Sequence, residues 1–167
     1  MSAEGAATRT LLLGIGNILL TDDGVGVHVI RELDASKRAD EIGRRIALRD
    51  GGTIGLALLS EFRGLDALIV IDAMELGAAP GTVQVFQGPE IEAQLHGRKR
   101  TAHEVALADL MAAAQLTGCA PRRRALVGIQ PSSTEWGLST TEPVRAAIPQ
   151  ACNAVLSLLE DWNRHAC

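Results

Sequence analysis

Aromatic side chains are scarce in this chain of 167 residues, since phenylalanine and tryptophan together make up 2% and tyrosine is absent. Proteins that bind single-stranded nucleic acid need such rings as stacking platforms for the bases. The formal net charge of -4 also provides no basic balance to neutralise phosphates. Two basic clusters, at residues 98–100 and 122–124, are interpreted as solvated loop faces. We therefore expect no nucleic-acid partner and a core built from aliphatic side chains.

Paired cysteines and long apolar runs are missing as well. The three cysteines lie far apart, without the C-x-x-C spacing of a redox or zinc motif, which is typical of reduced thiols in the cytosol. Residues 1–10 are small and polar, without the apolar core of a signal peptide, and no apolar run approaches the length of a membrane span. We expect a cytoplasmic protein with no membrane partner.

Short apolar runs alternate with segments of helical periodicity. Strands are predicted at residues 10–16, 45–50, 66–72, 82–86 and 125–130, and helices at 24–33, 54–62, 101–116 and 143–162, the last bent at Pro149. Such alternation predicts an α/β fold in which a twisted, mostly parallel five-stranded sheet is covered by helices on both faces. We expect a flexible N-terminus over residues 1–9 and one domain over residues 10–165.

Aspartates recur where these strands end. Asp22 and Asp23 follow the first strand, Asp50 ends the second, and Asp72 ends the third. Each also has an ordinary structural interpretation, as a helix cap or a turn residue. Asp72 is the hardest to explain in that way, because a carboxylate that ends a buried strand is partly desolvated and needs a partner. Ligands bind at the carboxyl edge of parallel sheets, so several carboxylates there suggest a cation.

His103 adds a nitrogen donor to this set. The segment 101–104, Thr-Ala-His-Glu, has the pattern of a capping box, which places His103 in the first turn of a helix. The partial positive charge of a helix N-terminus favours the neutral imidazole that binds metals. A surface histidine that happens to begin a helix would fit the same pattern.

Other chemistries lack their motifs. Position 107 is leucine where a zinc-protease helix needs histidine, and no Gly-x-Ser-x-Gly elbow is present. A glycine fingerprint for dinucleotides begins at Gly14 and Gly16 but continues with Leu19 in place of the third glycine. Cys119 follows a predicted helix end, where the dipole does not activate a thiolate. Carboxylates and one histidine remain as the candidate site.

The segment 13–26, Leu-Gly-Ile-Gly-Asn-Ile-Leu-Leu-Thr-Asp-Asp-Gly-Val-Gly, closely resembles the opening of the hydrogenase maturation endopeptidases. The resemblance continues, in the order of the family, through residues 50–53, 71–73, 80–82, 103 with 107–109, and 128 with 131 and 137–139. These blocks span most of the chain, from residue 11 to the C-terminal helix.

The resemblance implies a metal site formed by Asp23, Asp72 and His103, with Asp23 and Asp72 also catalytic. Many family members have glutamate at the position of Asp23, so the shorter side chain leaves Asp22 as an alternative ligand. Asp50 is the fourth residue expected at the cleft, in substrate positioning. The resemblance further implies an endopeptidase that cuts the C-terminal extension from the precursor of a nickel–iron hydrogenase large subunit after nickel insertion.

Two carboxylates and one imidazole would hold a free ion weakly, which fits nickel that arrives already bound to the thiolates of the substrate. A nickel-binding chaperone or sensor without peptidase activity could use the same three ligands. A nucleotide-binding module is a third interpretation, and it depends on the α/β pattern alone.

Overall fold

The computed structural model describes residues 9–42, 45–52, 55–96 and 102–165, except the side chains of Ala102 and His103. Within these residues five strands form one sheet: β1 (Arg9–Ile15), β2 (Arg45–Gly52), β3 (Ala67–Ala73), β4 (Val83–Gln87) and β5 (Arg123–Ile129). The strand order is β2-β1-β3-β5-β4, with β4 antiparallel to β5 and the other neighbours parallel. All seven residues of the central strand β3 are buried, as expected for a parallel strand covered on both faces.

Helices cover both faces of the sheet. The α-helices are α1 (Val25–Ser36), α2 (Pro89–Leu95), α3 (Ala102–Leu116) and α4 (Glu142–Arg164), and 3-10 turns lie at Thr21–Gly24, Asp40–Ile42 and Leu56–Phe62. Helices α1 and α4 share one core with Ile69 and Ile71, whereas α2, α3 and the turn at Leu56–Phe62 share the other with Leu68 and Val70. Successive residues of β3 therefore serve opposite cores.

Two glycines allow α1 to approach the sheet closely. A Cβ atom on Gly26 would lie 2.2 Å from the carbonyl oxygen of Ile71, and one on Gly14 would lie 2.3 Å from the carbonyl oxygen of Gly26. The glycines of this segment thus serve backbone packing. This packing places the turn before α1, with its two aspartates, beside the end of β3.

The predicted α/β class, with a mostly parallel five-stranded sheet between helices, is confirmed. The predicted helix at 54–62 is instead a 3-10 turn at Leu56–Phe62, and the short helix α2 was not predicted. Helix α4 continues through Pro149. Strand β1 already begins at Arg9, and the rest of the predicted flexible terminus lies outside the described residues.

The interpretation of residues 122–124 as a solvated loop face was wrong for two of the three, since only Arg122 is exposed, in a bend before β5. Arg123 and Arg124 are half-buried in β5. Arg123 donates to backbone carbonyls near the end of α4, including that of His165 at 2.6 Å, and Arg124 forms an ion pair with Glu92 at 3.3 Å. The other basic cluster, at 98–100, lies outside the described residues. None of the described helices is long and apolar enough to span a membrane.

Candidate active site

Two buried aspartates lie at the carboxyl edge of neighbouring strands. Asp72 is the penultimate residue of β3 and is 1% exposed, and Asp23 lies in the 3-10 turn after β1 and is 6% exposed. Because β1 and β3 are paired in parallel, both side chains belong to the same edge of the sheet. The structure therefore brings together the two aspartates that were predicted to share a site.

Asp72 has an unusual environment. Neither of its carboxylate oxygens has a hydrogen-bond partner among the described residues. Burial raises the pKa of Asp72 well above the ordinary 3.8, and the nearby carboxylates of Asp23 and Glu104 raise it further. The backbone N–H of Ala73 lowers the pKa of Asp72 and so offsets part of this rise. It does not form a hydrogen bond of normal geometry with the carboxylate. A buried carboxyl group of this kind is suited to holding a proton or to meeting a cation that arrives with a ligand.

Asp23 faces a cleft of about 210 Å³ that is also lined by Ala73, Glu75, Pro131, Ser132, Ser133 and Thr134. Its Oδ2 accepts a hydrogen bond of 2.8 Å from the backbone N–H of Asn17. A larger cavity of about 510 Å³ lies elsewhere in the described part of the chain, beside Leu56 and Cys119, and no carboxylate lines it. We place the candidate site by its chemistry, at the smaller cleft.

Asp22 has a different function from its neighbour. It is fully buried, and its carboxylate accepts hydrogen bonds from the backbone N–H groups of Ser132 (2.9 Å), Ser133 (3.0 Å) and Thr141 (2.7 Å) and from the Thr141 hydroxyl (2.8 Å). These four bonds occupy both oxygens and fix the loop between β5 and α4. The contacts favour Asp23 over Asp22 as the residue that acts in the cleft.

His103 is the second residue of α3, in the first helical turn as predicted, but its side chain lies outside the described residues. Its part as a metal ligand stays a prediction. Thr101, the predicted cap, also lies outside them. The charge of Glu104 raises the pKa of Asp72, so the first turn of α3 lies close to the end of β3.

Glu104 belongs to this cluster of carboxylates and was missed as a site residue. It is only 2% exposed, although the sequence pattern assigned it to the helix cap. A signal was present, because Glu104 falls on the same helical stripe as Leu107, Met111 and Ala114, which are all buried. An acid on a buried stripe indicates a carboxylate that is directed into the protein.

Asp50 lies apart from this cluster. It is exposed at the end of β2, the outermost strand on its side of the sheet. Its Oδ1 accepts from the backbone N–H of Gly52 at 3.0 Å, and its Oδ2 lies 3.6 Å from the guanidinium of Arg31. These contacts close a turn, and Asp50 is not among the residues that line the Asp23 cleft. Its expected part in substrate positioning stays a prediction.

The described side chains contain no group of three or more His, Cys, Asp or Glu residues arranged to hold a metal ion, although the ring of His103 is not among them. The two described thiols also offer no activated nucleophile at this edge. Burial raises the pKa of the Cys152 thiol to about 11, and Cys119 lies at the larger cavity. Among the described residues that line the cleft, Asp23 and Glu75 carry carboxylates.

Comparisons with known proteins point to one family. A family model for hydrogenase maturation proteases matches residues 27–158. The hydrogenase expression/formation protein HupD of Rhizobium leguminosarum bv. viciae is 38% identical over 93% of this chain and 76% of that protein. The hydrogenase 2 maturation protease of Escherichia coli (strain K12) is 36% identical over 92% of each chain.

Solved structures give the same result. The hydrogenase maturating endopeptidase HybD from E. coli superposes with a TM-score of 0.82 at 35% identity, over 92% of this chain and 93% of that one. The [NiFe] hydrogenase maturation protease HybD from Thermococcus kodakarensis has a TM-score of 0.74 at 27% identity, over 91% and 99%. The fold is that of the hydrogenase maturation endopeptidases. This chain belongs to the hydrogenase maturation protease family.

Proposed function

We propose that this chain is the endopeptidase that removes the C-terminal extension from the precursor of a nickel–iron hydrogenase large subunit, with Asp23 and Asp72 at the site of cleavage. Membership of the family supports the peptidase activity. The observation that carries the assignment of the site is Asp72, a buried carboxyl group whose two oxygens lack hydrogen-bond partners among the described residues. Asp23 lies beside it in a cleft that is open to a substrate chain.

We propose further that the cleft recognises nickel carried by the precursor. The oxygens of Asp72 are available as donors, and Asp23 and His103 would complete a set of three ligands. Carboxylates bind nickel less well than thiolates do, so most of the affinity would come from the cysteines of the substrate. A precursor without nickel lacks this contact and would be left uncut.

The carboxylates can also act on protons. A carboxyl group with a raised pKa holds its proton to a higher pH than an ordinary aspartate does, and enzymes raise the pKa of carboxyl groups in this way for general acid–base catalysis. Asp72 can therefore accept a proton from an attacking water and return it to the leaving amine. A divalent ion bound at the cleft would in addition polarise the scissile carbonyl group.

We also place the protein in the cytoplasm. Cys119 and Cys152 are both free thiols in the structure, which suits a reducing compartment.

The test is to incubate the purified protein with candidate large-subunit precursors and to identify any released peptide by mass spectrometry. We expect one C-terminal peptide, unaffected by inhibitors of serine and cysteine peptidases, and at least about a 100-fold lower rate for Asp72→Asn. An Asp34→Asn variant, at the exposed carboxyl end of α1, is the matched control. Nickel binding without release of a peptide from any precursor would instead support a chaperone or sensor.

A further inference from the structure

Two loops beside the cleft are joined into one unit. The backbone N–H of Thr21 donates to the carbonyl oxygen of Gly137 at 2.9 Å, and the N–H of Gly137 donates to that of Leu19 at 3.0 Å. The Thr21 hydroxyl donates to the carbonyl oxygen of Glu135 at 2.6 Å. Together with the four bonds to Asp22, these contacts fix the loop at 131–141 against the segment that follows β1.

This unit presents large apolar side chains to solvent. Trp136 is 81% exposed and Leu138 is 79% exposed, on either side of Gly137, and Ile18 and Leu19 are exposed on the joined segment. We name these four residues the apolar rim. Exposed apolar groups that cluster on a rigid backbone mark interaction sites, and tryptophan is the residue most enriched among those that dominate binding energy.

The apolar rim continues directly into the cleft. Ser132, Ser133 and Thr134 line the cleft with Asp23, and Trp136 follows two residues later on the same fixed loop. Trp136 and Leu138 of the rim therefore lie on the same loop as one wall of the cleft.

The three described segments that border the cleft carry charge of one sign. The segments 16–24, 74–82 and 131–142 contain no lysine, arginine or histidine. Glu75 and Glu135 are exposed there, Glu75 at the wall of the cleft and Glu135 next to Trp136. Such a surface complements a partner that carries basic groups.

We propose that the apolar rim is the docking surface for the precursor, and that it binds a segment beside the scissile bond with apolar side chains and at least one lysine or arginine. This inference rests on the proposed function, because it takes the hydrogenase precursor as the occupant. Because the joined loops are already ordered by their hydrogen bonds, little conformational entropy is lost on docking.

Kinetics with the nickel-loaded precursor give the first test. The double variant Trp136→Ala/Leu138→Ala should raise KM by roughly 30-fold and leave kcat within about twofold, since the rim contacts do not reach the reacting groups. Glu135→Lys should raise KM more than Glu135→Gln does. The matched control is Leu116→Ala, an exposed leucine at the end of α3, at the opposite edge of the sheet, which should change neither constant.

A spectroscopic measurement reports docking without cleavage. The chain has two tryptophans, and the other one, Trp162, is buried in α4. Labelling with 5-fluorotryptophan gives one ¹⁹F resonance for each, assigned with Trp136→Phe. Adding unlabelled precursor to the labelled Asp72→Asn protein should shift the Trp136 resonance and leave that of Trp162 in place.

Three other outcomes would overturn the inference. In the first, the protein cuts the precursor normally, the Trp136 resonance does not shift, and the double variant has an unchanged KM. This result would show that the precursor docks elsewhere, and the proposed function would still stand. A shift that depends on the concentration of the labelled protein alone would assign the rim to a second copy of this chain. If the unchanged protein cuts no precursor, the proposed function fails, and the inference fails with it.

Discussion

Asp72 and Asp22 are both buried aspartates at one edge of the sheet, yet their surroundings differ completely. Asp22 accepts four hydrogen bonds, whereas the oxygens of Asp72 have no such partner among the described residues. The first arrangement stabilises the folded state, and the second decreases its stability.

Replacing Asp72 with asparagine should therefore stabilise the protein at neutral pH. Because burial raises the pKa of Asp72 in the folded state, the folded protein binds this proton more tightly than the unfolded chain does. The stability linked to this proton is fully present below the pKa that Asp72 has in the unfolded chain. It is lost as the pH rises through the higher pKa that Asp72 has in the folded protein. Asparagine cannot ionise, so it avoids this loss.

We expect Asp72→Asn to increase the free energy of unfolding by about 1 kcal/mol at neutral pH. The difference in unfolding free energy between the variant and the unchanged protein should shrink as the pH falls towards the ordinary pKa of aspartate. Urea denaturation across this pH range measures the effect. Asp50→Asn, at an exposed strand end, should give no gain. If the stability difference between Asp72→Asn and the unchanged protein grew in acid, it would contradict a raised pKa for Asp72.

Asp22 and Asp23 form a matched pair for separating structure from catalysis. Asp22→Asn should lower the free energy of unfolding by roughly 2–3 kcal/mol, because one amide oxygen cannot accept four hydrogen bonds. Asp23→Asn keeps an acceptor for the N–H of Asn17 and should change stability by less than about 1 kcal/mol. The same variant should lower cleavage at least about 100-fold. If Asp23→Asn lowered stability and Asp22→Asn lowered only cleavage, Asp23 would be the structural residue and Asp22 the one that acts in the cleft.

The sequence predicted the carboxylates at the strand ends, because a buried apolar strand that ends in an acid is visible in the pattern alone. It did not predict the burial of Glu104, because the capping-box spacing explained that residue without a tertiary contact. It also did not separate Asp22 from Asp23. The hydrogen bonds that decide between them reach Thr141, which lies 119 positions further along the chain.

At the scale of elements, the close approach of α1 to the sheet determines where the site lies. Gly26 contacts β1 and β3 at once, since a Cβ atom there would lie 2.2 Å from the carbonyl oxygen of Ile71 and 2.6 Å from that of Ile15. The turn with Asp23 is fixed by this contact at the amino end of α1.

Gly26→Ala should lower the free energy of unfolding by about 2–3 kcal/mol, because backbone atoms cannot move aside for the methyl group. Gly55→Ala is the control, since no atom lies within 4 Å of the position that its methyl group would occupy, and it should change stability by less than about 0.5 kcal/mol. Chemical denaturation compares the two variants. Equal stabilities would show that α1 can move away from the sheet.

Long elements with a clear period were predicted well, and short ones were not. Strand β3 and helices α1, α3 and α4 have patterns that cover several turns or a whole buried run. Helix α2 spans only Pro89–Leu95, so its apolar residues are too few to establish a period. The segment Leu56–Phe62 has an apolar pattern that suits either an α-helix or a 3-10 turn, and tertiary packing around Phe62 decides between them.

At the scale of the whole molecule, we propose that the site of Asp23, Asp72 and His103 holds a free metal ion weakly, because two carboxylates and one imidazole are a poor ligand set for nickel. The described side chains provide buried carboxylates but no cluster of three ligands. Weak binding of free nickel would suit an enzyme whose metal arrives with its substrate, since tight binding would occupy the cleft before the precursor docks.

Recognition of nickel carried by the precursor is tested most directly with one precursor prepared in two forms, empty and nickel-loaded, under otherwise equal conditions. Release of the C-terminal peptide is followed by mass spectrometry at several times after the protein is added. We expect cleavage of the loaded form, and at least about 100-fold slower cleavage of the empty form, because the empty precursor lacks the ion that Asp72 would contact. Equal rates for the two forms would contradict nickel recognition at this cleft.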